Sequence, residues 1–256
     1  MIARLKWKQR KTAAADVTAA LERVMRIIVK FEKRDEACFI SHLDTQRLFQ
    51  RAFRRADIPL AYSQGFNPHP IMSFASALSL GFSSGAEWLD VRLSEHVSCD
   101  EFIERVNASL PPCVKALKAV AAPEGYPALT SVLKAAQYLV VAEADERALS
   151  ALEAAIPALL SNPIIVQKKT KGGIKSVDIR PMVYRASVIS RRRGNVTLDI
   201  IGRLDAQGGM RIDLFMGSLE ELIGEKLQYM AHRERMYSND GVIMPQWPLN
   251  GERNNA

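Results

Sequence analysis

The sequence predicts an α+β protein made of two tandem ferredoxin-like units, each with the element order βαββαβ and an antiparallel sheet. Three observations lead to this prediction. The chain has 256 residues, enough for about two domains. Segments with period-two apolar alternation and segments with helical apolar spacing follow each other in the same order in both halves. Between the halves lies a proline- and glycine-containing stretch, AAPEGYPALTSV, that fits a linker.

The first unit is predicted over residues 25–122 and begins with the strand RIIVKFE. A helix is expected over residues 41–56, where Ser41 and Asp44 form a capping box and Pro59 blocks continuation. The next element is a strand with Met72, Phe74, Leu78 and Leu80 on one side, followed by a connection over residues 81–85. The strand EWLDVRL comes next, with Leu89, Val91 and Leu93 inward and Trp88, Asp90 and Arg92 outward. A helix capped by Ser98 and Glu101 and the strand VKALKAV complete the unit.

The second unit is predicted over residues 134–240. Its elements are the strand QYLVVAE, a helix capped by Asp145 and strained or ended near Pro157, the hairpin strands MVYRASVI and NVTLDII, a helix capped by Ser218 and Glu221, and the strand YMAHRERMY. A basic insertion over residues 163–180 interrupts this order. Residues 241–256 are expected to form a mobile tail.

The net charge of +7 favours an anionic partner, but much of it is concentrated at one end. Residues 1–24 hold six basic and two acidic residues, which is more than half of the excess. We interpret this extension either as an over-long start, with the native protein beginning at Met25, or as a basic arm. A basic site in the remaining chain must therefore be argued from local clusters.

Several classes of site have little support in the sequence. Cys38, Cys99 and Cys113 lie far apart and form no CxxC pair, which is typical of reduced cysteines in a cytoplasmic protein. Four histidines without an HExxH motif favour no metal site. Because no stretch approaches about 20 apolar residues, we expect no membrane span.

The helix predicted at residues 41–56 has two contrasting faces. Its apolar face consists of Leu48, Phe49, Ala52, Phe53 and Ala56. The opposite face and its flank, called here the arginine face, consist of Arg47, Arg51, Arg54 and Arg55. Asp44 can neutralise at most one of these arginines, and like charges one turn apart repel. The pattern favours phosphate binding by guanidinium groups over an ordinary solvated face.

Two further basic clusters are candidate phosphate contacts. The insertion carries lysines around Gly172 and Gly173, an arrangement that suits either backbone approach to a phosphate or a flexible surface loop. A hairpin tip, SRRRG, is either another contact or a solubilising turn. The residues concerned are Lys168, Lys169, Lys171, Lys175, Arg180, Arg191, Arg192 and Arg193.

His42 is a weak candidate for a catalytic base. It follows Ser41 at the predicted helix start, and imidazole is the side chain most often used as a general base. No nearby residue completes a triad, so a structural histidine is the favoured interpretation.

The stretch YSQGFNPHP, residues 62–70, predicts a stiff projecting loop. Pro68 and Pro70 hold the preceding residues extended, and Gly65 allows a tight turn. The loop displays Tyr62, Ser63, Gln64, Phe66, Asn67 and His69. This combination suits stacking on an unpaired base, although Phe66 folding back onto the core fits the local pattern equally well.

The run FISHLDTQRLFQRAFRRADIPLAYSQGFNPHPIMSFASALSLGFSSGAEWLDVRL and the later block KKTKGGIKSVDIRP resemble an uncharacterised family of radical-SAM-linked proteins. The resemblance extends over residues 25–237. It implies a partnership with a cobalamin-binding radical SAM protein. The sequence has no CxxxCxxC motif, so the iron–sulfur cluster and S-adenosylmethionine are expected on the partner, with no cofactor on this chain. The resemblance also favours a functional role for residues 62–70.

The leading hypothesis is therefore an RNA-binding accessory protein that presents tRNA or rRNA to a radical SAM enzyme. The first alternative is a metal-independent RNA endonuclease that uses His42, by analogy with the tandem ferredoxin-like CRISPR RNA-processing endonucleases. The second alternative is a protein adaptor for the radical SAM enzyme that binds no RNA.

Overall fold

The computed structural model describes residues 25–170, 173–192 and 194–247. Within these ranges the chain is a mixed α+β protein with mostly antiparallel strand pairing. Two compact units are present, one built from residues 25–31, 43–74 and 88–126, the other from residues 32–42, 75–87 and 127–247. The predicted boundary near residue 122 is thus approximate, because two short segments of the first half belong to the second unit.

The first unit contains the complete element order that the sequence predicts. Its elements are β1 (Met25–Lys33), α1 (His42–Arg55), β2 (Met72–Phe74), β3 (Ser83–Leu93), α2 (Cys99–Asn107) and β4 (Val114–Ala121). The C-terminal end of β1 and the start of β3 belong to the second unit. The strand order is β2-β3-β1-β4. Ser98 caps α2 as predicted, since its hydroxyl accepts from the backbone N–H of Glu101.

Phenylalanines form the core of the first unit. On α1, Phe49 and Phe53 point inward one turn apart, and both are fully buried. The Phe49 ring meets Phe31 of β1 edge-on at 4.8 Å, and the Phe53 ring lies 5.7 Å from Phe102 of α2. These contacts fix α1 against the strands with its opposite face turned to solvent.

Two predictions about the strands of the first half were wrong. Leu78 and Leu80 do not continue β2, which ends at Phe74, and Leu80 is exposed. Trp88 and Asp90 of β3 are buried rather than outward-facing. Asp90 is buried because Arg26 forms an ion pair with it at 2.5 Å, a long-range contact that no local pattern reveals.

The second unit consists of further strands and helices. They are α3 (Leu129–Val132), β5 (Leu133–Glu143), α4 (Glu146–Leu160), β6 (Ile165–Thr170), β7 (Gly173–Asp178), β8 (Val183–Arg192), β9 (Asn195–Asp205), β10 (Gly208–Gly209), α5 (Ile212–Ile223) and β11 (Tyr229–Ser238). The main strand order is β8-β9-β5-β11, with antiparallel pairing throughout this set. At His232 and Arg233, β11 pairs in parallel with the start of β3. The prediction of purely antiparallel pairing is therefore wrong at this position.

Helix boundaries in the second unit differ from the predictions. Asp145 caps α4 as expected, by accepting from the backbone N–H of Ala148, but Pro157 lies inside the helix without ending it. Helix α5 begins at Ile212, so Ser218 is not its cap. The Ser218 hydroxyl instead donates to the carbonyl of Leu214 within the helix.

The described part of the insertion forms a β-hairpin. Strands β6 and β7 form a separate two-stranded antiparallel sheet, called here the basic hairpin. At its base the Asp178 carboxylate accepts from the backbone N–H of Ile164 and of Arg180, both at 2.9 Å. These bonds close the ends of the hairpin.

The predicted tail and extension lie partly outside the described residues. Residues 241–247 are held in place, since the backbone N–H of Trp247 donates to Ser238 and its ring stacks on Tyr184 at 5.2 Å. The prediction of a mobile tail is therefore wrong for this part. Residues 1–24 and 248–256 lie outside the described ranges. No helix in the described part of the chain is long and apolar enough to cross a membrane.

A candidate nucleic-acid interface

The arginine face is exposed along the whole of α1. Arg47, Arg51, Arg54 and Arg55 are all solvent-exposed, whereas Thr45, Phe49, Ala52 and Phe53 are buried beneath them. The amphipathic spacing therefore separates the charges from the core as predicted. Because the apolar side is packed against β1 and α2, the positions of the arginine Cα atoms are rigid.

The four arginines differ in their intramolecular partners. Arg47 pairs with Asp44 at 3.0 Å across one turn, and Arg55 donates to the carbonyl of Ser109 at 2.5 Å. Among the residues that the structure describes, Arg51 and Arg54 have no ion-pair partner. Arg55 is thus partly a structural tether, and Arg51 and Arg54 are the members left for a ligand.

The C-terminal end of α1 is capped by an arginine that the sequence analysis did not single out. Arg105 of α2 donates to the backbone carbonyls of Ala56, at 2.9 Å, and of Asp57. A guanidinium at this position satisfies carbonyls that the helix leaves free and complements its dipole. The arginine face is therefore carried by a helix held at its end as well as along its length.

Residues 62–70, called here the Phe66 loop, extend from a short ladder of backbone bonds. Below the loop, Ile71 donates to Ala61 and Ala61 donates to Arg92 of β3, each at 2.9 Å. Within it, the Ser63 N–H donates to the carbonyl of His69 at 2.9 Å. The loop is thus a tight hairpin anchored on β3.

The tip of the Phe66 loop points into solvent. The Phe66 side chain is fully exposed, with a relative accessibility of 112%, so the interpretation in which it folds back onto the core is wrong. Gly65 precedes it with a φ of +126°, a conformation that other residues rarely adopt. Tyr62, Gln64, Asn67 and His69 are also exposed, and Ser63 is half-buried.

A side-chain staple closes the Phe66 loop. The Ser63 hydroxyl oxygen accepts from the backbone N–H of His69 at 3.1 Å and lies 2.9 Å from His69 Nδ1. His69 Nδ1 also lies 3.4 Å from the backbone carbonyl oxygen of Asn67. The staple therefore engages Nδ1, and Nε2 is the ring nitrogen that it does not engage.

The basic hairpin brings two predicted lysines together. Lys168 of β6 and Lys175 of β7 occupy directly opposite register positions, and both are exposed. Like charges in such a pair repel. Lys169 lies in β6 opposite Ile174. Lys171 lies outside the described residues.

The remaining predicted arginines do not form one site. Arg180 is half-buried and donates to the backbone carbonyls of Leu160 and Val183, so its role is structural. Arg191 pairs with Glu153 of α4, and Arg192 is exposed. Arg193 lies outside the described residues. Arg180 is therefore withdrawn from the candidate contacts, because its guanidinium already satisfies carbonyls of its own chain.

His42 is the first residue of α1 and is half-exposed. Within the described ranges, no group of three His, Cys, Asp or Glu side chains is placed to hold a metal ion. The geometry around the arginine face and the Phe66 loop is that of a binding surface, with exposed cations and the exposed aromatic rings of Phe66 and Tyr62 on anchored supports.

The second unit contains a buried polar cluster that sequence reasoning missed. Arg233 of β11 donates to both oxygens of Glu87, at 2.9 and 3.2 Å, and to the carbonyl of Ala77. Lys33 is also buried and donates to the carbonyl of Ile40. Burial lowers the pKa of Lys33 below the usual value for lysine, and the charge of Glu87 opposes this shift.

His232, next to this cluster on β11, is paired with a serine. Its Nδ1 lies 2.7 Å from the Ser83 hydroxyl, and its Nε2 lies 3.6 Å from Glu234. Burial lowers the pKa of His232, although the carboxylate of Glu234 acts in the opposite direction. In the sequence, buried polar residues of this kind are marked only by a polar residue type at an inward position of an alternating strand.

Comparison with solved structures gives distant similarities. A crystal structure of a Cbf5–Nop10–Gar1 complex matches with 8% identity and a TM-score of 0.46, covering 82% of this chain and 48% of that chain. A structure of an H/ACA RNP bound to a substrate RNA containing 2'-deoxyuridine matches with 7% identity and a TM-score of 0.41, covering 82% and 47%. The chain thus spans about half the length of each of these matched chains.

No curated protein sequence matches the chain significantly. A family model does match, over residues 26–211, which is most of the region that the structure describes. The matched region includes the arginine face, the Phe66 loop and the basic hairpin. The chain belongs to the family described as an uncharacterized protein conserved in bacteria (DUF2344).

Proposed function

We propose that this protein binds RNA through the arginine face and acts as a substrate-presenting accessory protein in tRNA or rRNA modification. The observation that carries the proposal is the exposure of Arg51 and Arg54, which have no ion-pair partner among the described residues. Keeping unpaired guanidinium groups one turn apart costs free energy that a bound phosphate backbone recovers.

A finer description of the fold is part of the proposal. Both units are ferredoxin-like, and the strand orders support this: β2-β3-β1-β4 in the first unit corresponds, strand for strand, to β8-β9-β5-β11 in the second. In both units, the two strands of the hairpin lie side by side, and the first and last strands of the unit lie side by side next to them. The basic hairpin is then an insertion into the second unit, between its first helix and its second strand.

The proposed partner enzyme is a radical SAM protein, which supplies the iron–sulfur cluster and S-adenosylmethionine. The basis for this part is the sequence resemblance together with the lack of a CxxxCxxC motif in this chain. Co-purification of the two proteins tests it. Capture of the radical SAM protein that is independent of RNA and unaffected by loss of Arg51 and Arg54 favours the adaptor alternative.

RNA binding is tested by titrating a labelled tRNA against the protein at several salt concentrations. The logarithm of the binding constant should fall linearly with the logarithm of salt, with a slope of about −0.7 to −0.9 per phosphate contact. A double variant, Arg51→Ala with Arg54→Ala, should make the slope shallower by about 1.5. A matched double variant at Lys115 and Lys118, exposed on β4 of the same unit, removes the same charge and should change the slope much less.

A slope near zero for the parent protein would contradict the proposal. The same titration tests the endonuclease alternative if it is followed by incubation in EDTA. RNA cleavage that disappears in a His42→Ala variant would assign a catalytic role to this chain.

A further inference from the structure

We infer that the bound RNA presents an unpaired nucleobase, which stacks on Phe66 at the tip of the Phe66 loop. The inference rests on the proposed function and makes it more specific, because it selects single-stranded or looped RNA over regular duplex. Its main support is the geometry of the loop, and the Phe66 loop and the arginine face can be changed by separate substitutions, so the two are separately testable.

The first argument is that the Phe66 ring is fully exposed on an anchored loop. A phenylalanine side chain is normally stabilised by burial of its apolar surface. Here the ring has no burial at all, although the backbone around it is fixed by the bonds of Ser63, Ile71 and Ala61. An ordered loop that holds an aromatic ring away from the core is preorganised for a ligand that covers the ring.

The second argument is that the ring is accompanied by polar groups suited to base edges. The staple between Ser63 and His69 engages Nδ1 and leaves Nε2 of this exposed ring for a polar contact with a base edge. The amide of Asn67, also exposed, offers both a donor and an acceptor. An unpaired base needs a flat apolar surface and a few edge contacts, which this loop supplies.

The third argument concerns the alternatives to a base. Phe66 is the single large apolar residue of the tip, since its neighbours Gln64, Gly65 and Asn67 are polar or small. Even together with Tyr62, which is 42% exposed at the start of the loop, this ring is too small for a membrane anchor or for the core of a stable protein interface. It does match one nucleobase, for which stacking on a single aromatic ring is sufficient.

The fourth argument is charge complementarity within the same unit. Between His42 and Pro70 the chain carries four arginines and two aspartates, Asp57 and Asp44, the second of which pairs with Arg47. The Phe66 loop begins seven residues after Arg55 and belongs to the same compact unit as the arginine face. Nucleic acid is the ligand class that combines a polyanion with stackable rings.

The experiment compares a fluorescein-labelled 12-nucleotide RNA alone and annealed to its complement, with the full-length protein and four variants. Phe66→Ala should weaken single-strand binding about 10- to 100-fold and leave duplex binding unchanged. Phe66→Tyr, which keeps the ring, should stay within about 3-fold of the parent. Phe66→Leu keeps apolar area without a π-face and should behave like Phe66→Ala.

The fourth variant, Arg51→Ala, separates this inference from the proposed function. It should weaken binding to both RNA forms by similar factors, because phosphate contacts do not distinguish them. Suppose that the parent binds RNA and that Arg51→Ala weakens this binding. If Phe66→Leu then binds single-stranded RNA as tightly as the parent, or if the parent binds single-stranded and duplex RNA with equal affinity, the base-stacking inference fails and the proposal of RNA binding stands. If neither RNA form binds in a salt-dependent manner, both fail.

Two controls complete the design. The midpoint of thermal unfolding should agree within about 1 °C among the Phe66 variants, because the ring makes no buried contact. Phosphatidylserine vesicles provide a competing surface. Vesicle binding that depends on Phe66, without any effect of Phe66 on RNA, would assign the loop to a lipid surface and overturn the inference.

Discussion

Arg233 and Glu87 form a buried ion pair in the second unit, with each side chain less than 5% exposed. The guanidinium also donates to Ala77 and to the hydroxyl of Tyr138, and it lies over the Tyr138 ring at 5.4 Å. The pair therefore joins β3, β5 and β11 through charge-assisted hydrogen bonds. Because both charges have left water, each depends on the other for compensation.

The first prediction concerns the removal of one partner of this pair. Arg233→Met should lower the free energy of unfolding by about 3–5 kcal/mol, because Glu87 is left buried without its partner. Urea unfolding at pH 7 measures the loss. The double variant Arg233→Met with Glu87→Met should recover much of the stability, since well-packed apolar residues replace ion pairs at little cost.

The matched control for this prediction is an exposed pair. Arg211 and Asp213 also form an ion pair, and both side chains are about half exposed. Arg211→Met should cost less than about 1 kcal/mol, because water screens the pair. Equal losses in the free energy of unfolding for Arg233→Met and Arg211→Met would show that burial of the Arg233–Glu87 pair does not increase the cost of removing one partner.

The second prediction concerns the staple of the Phe66 loop. Ser63→Ala removes the acceptor of the His69 backbone N–H, so exchange of this amide hydrogen with solvent should accelerate by roughly 5- to 10-fold, equivalent to about 1 kcal/mol. Hydrogen exchange followed by NMR measures it. Ser63→Thr keeps the hydroxyl and should restore protection, whereas Gln64→Ala, at the exposed tip, should have no effect. Unchanged protection in Ser63→Ala would mean that the backbone ladder alone holds the loop.

Much of the fold was predictable because it depends on local patterns. The alternation in β5 and the helical spacing of Phe49 and Phe53 follow from burial of one face, and both are visible in a short window of sequence. The exposure of the arginine face follows from the same spacing. The stiffness of the Phe66 loop stays a prediction from its prolines, since proline restricts the residue before it.

The errors concern long-range or weakly patterned features. Asp90 and Glu87 are buried because Arg26 and Arg233 reach them from positions 64 and 146 residues away, which no window detects. The start of α5 was misplaced because a capping-box pattern at Ser218 occurs by chance inside a helix that begins without a side-chain cap. The basic hairpin was missed because Lys and Gly disfavour strands, and closing bonds from Asp178 compensate.

The third prediction is a pH dependence of stability at His232. Its pKa is lowered in the folded protein, mainly by burial, so the unfolded state binds the proton more readily. The contribution to stability is then complete above the unfolded pKa of about 6.5 and is lost as pH falls through the folded pKa. The facing groups are Ser83, Glu234, Arg34, Glu32 and Glu87.

Urea unfolding at pH 8 and pH 5 measures this contribution. The loss of stability between the two pH values should be smaller in His232→Gln than in the parent, because the variant has no imidazole to protonate. His96→Gln, at an exposed histidine of the first unit, is the control and should retain the full loss. A His232→Gln variant with the parent's pH dependence would contradict the assignment.

The last prediction separates ligand binding from folding at the basic hairpin. Lys175 faces Lys168 across the strand pair, so Lys175→Thr relieves a repulsion and places a residue with higher strand propensity. The free energy of unfolding should stay equal or rise by a few tenths of a kcal/mol.

If the hairpin contacts RNA phosphates, the RNA affinity of Lys175→Thr should fall and the salt slope should become shallower by about 0.7 to 0.9. Lys115→Thr, on β4 of the first unit, is the charge-matched control. A variant that is more stable but binds RNA less tightly identifies a residue retained for binding, because its charge works against the fold. Unchanged affinity in Lys175→Thr would confine RNA binding to the first unit.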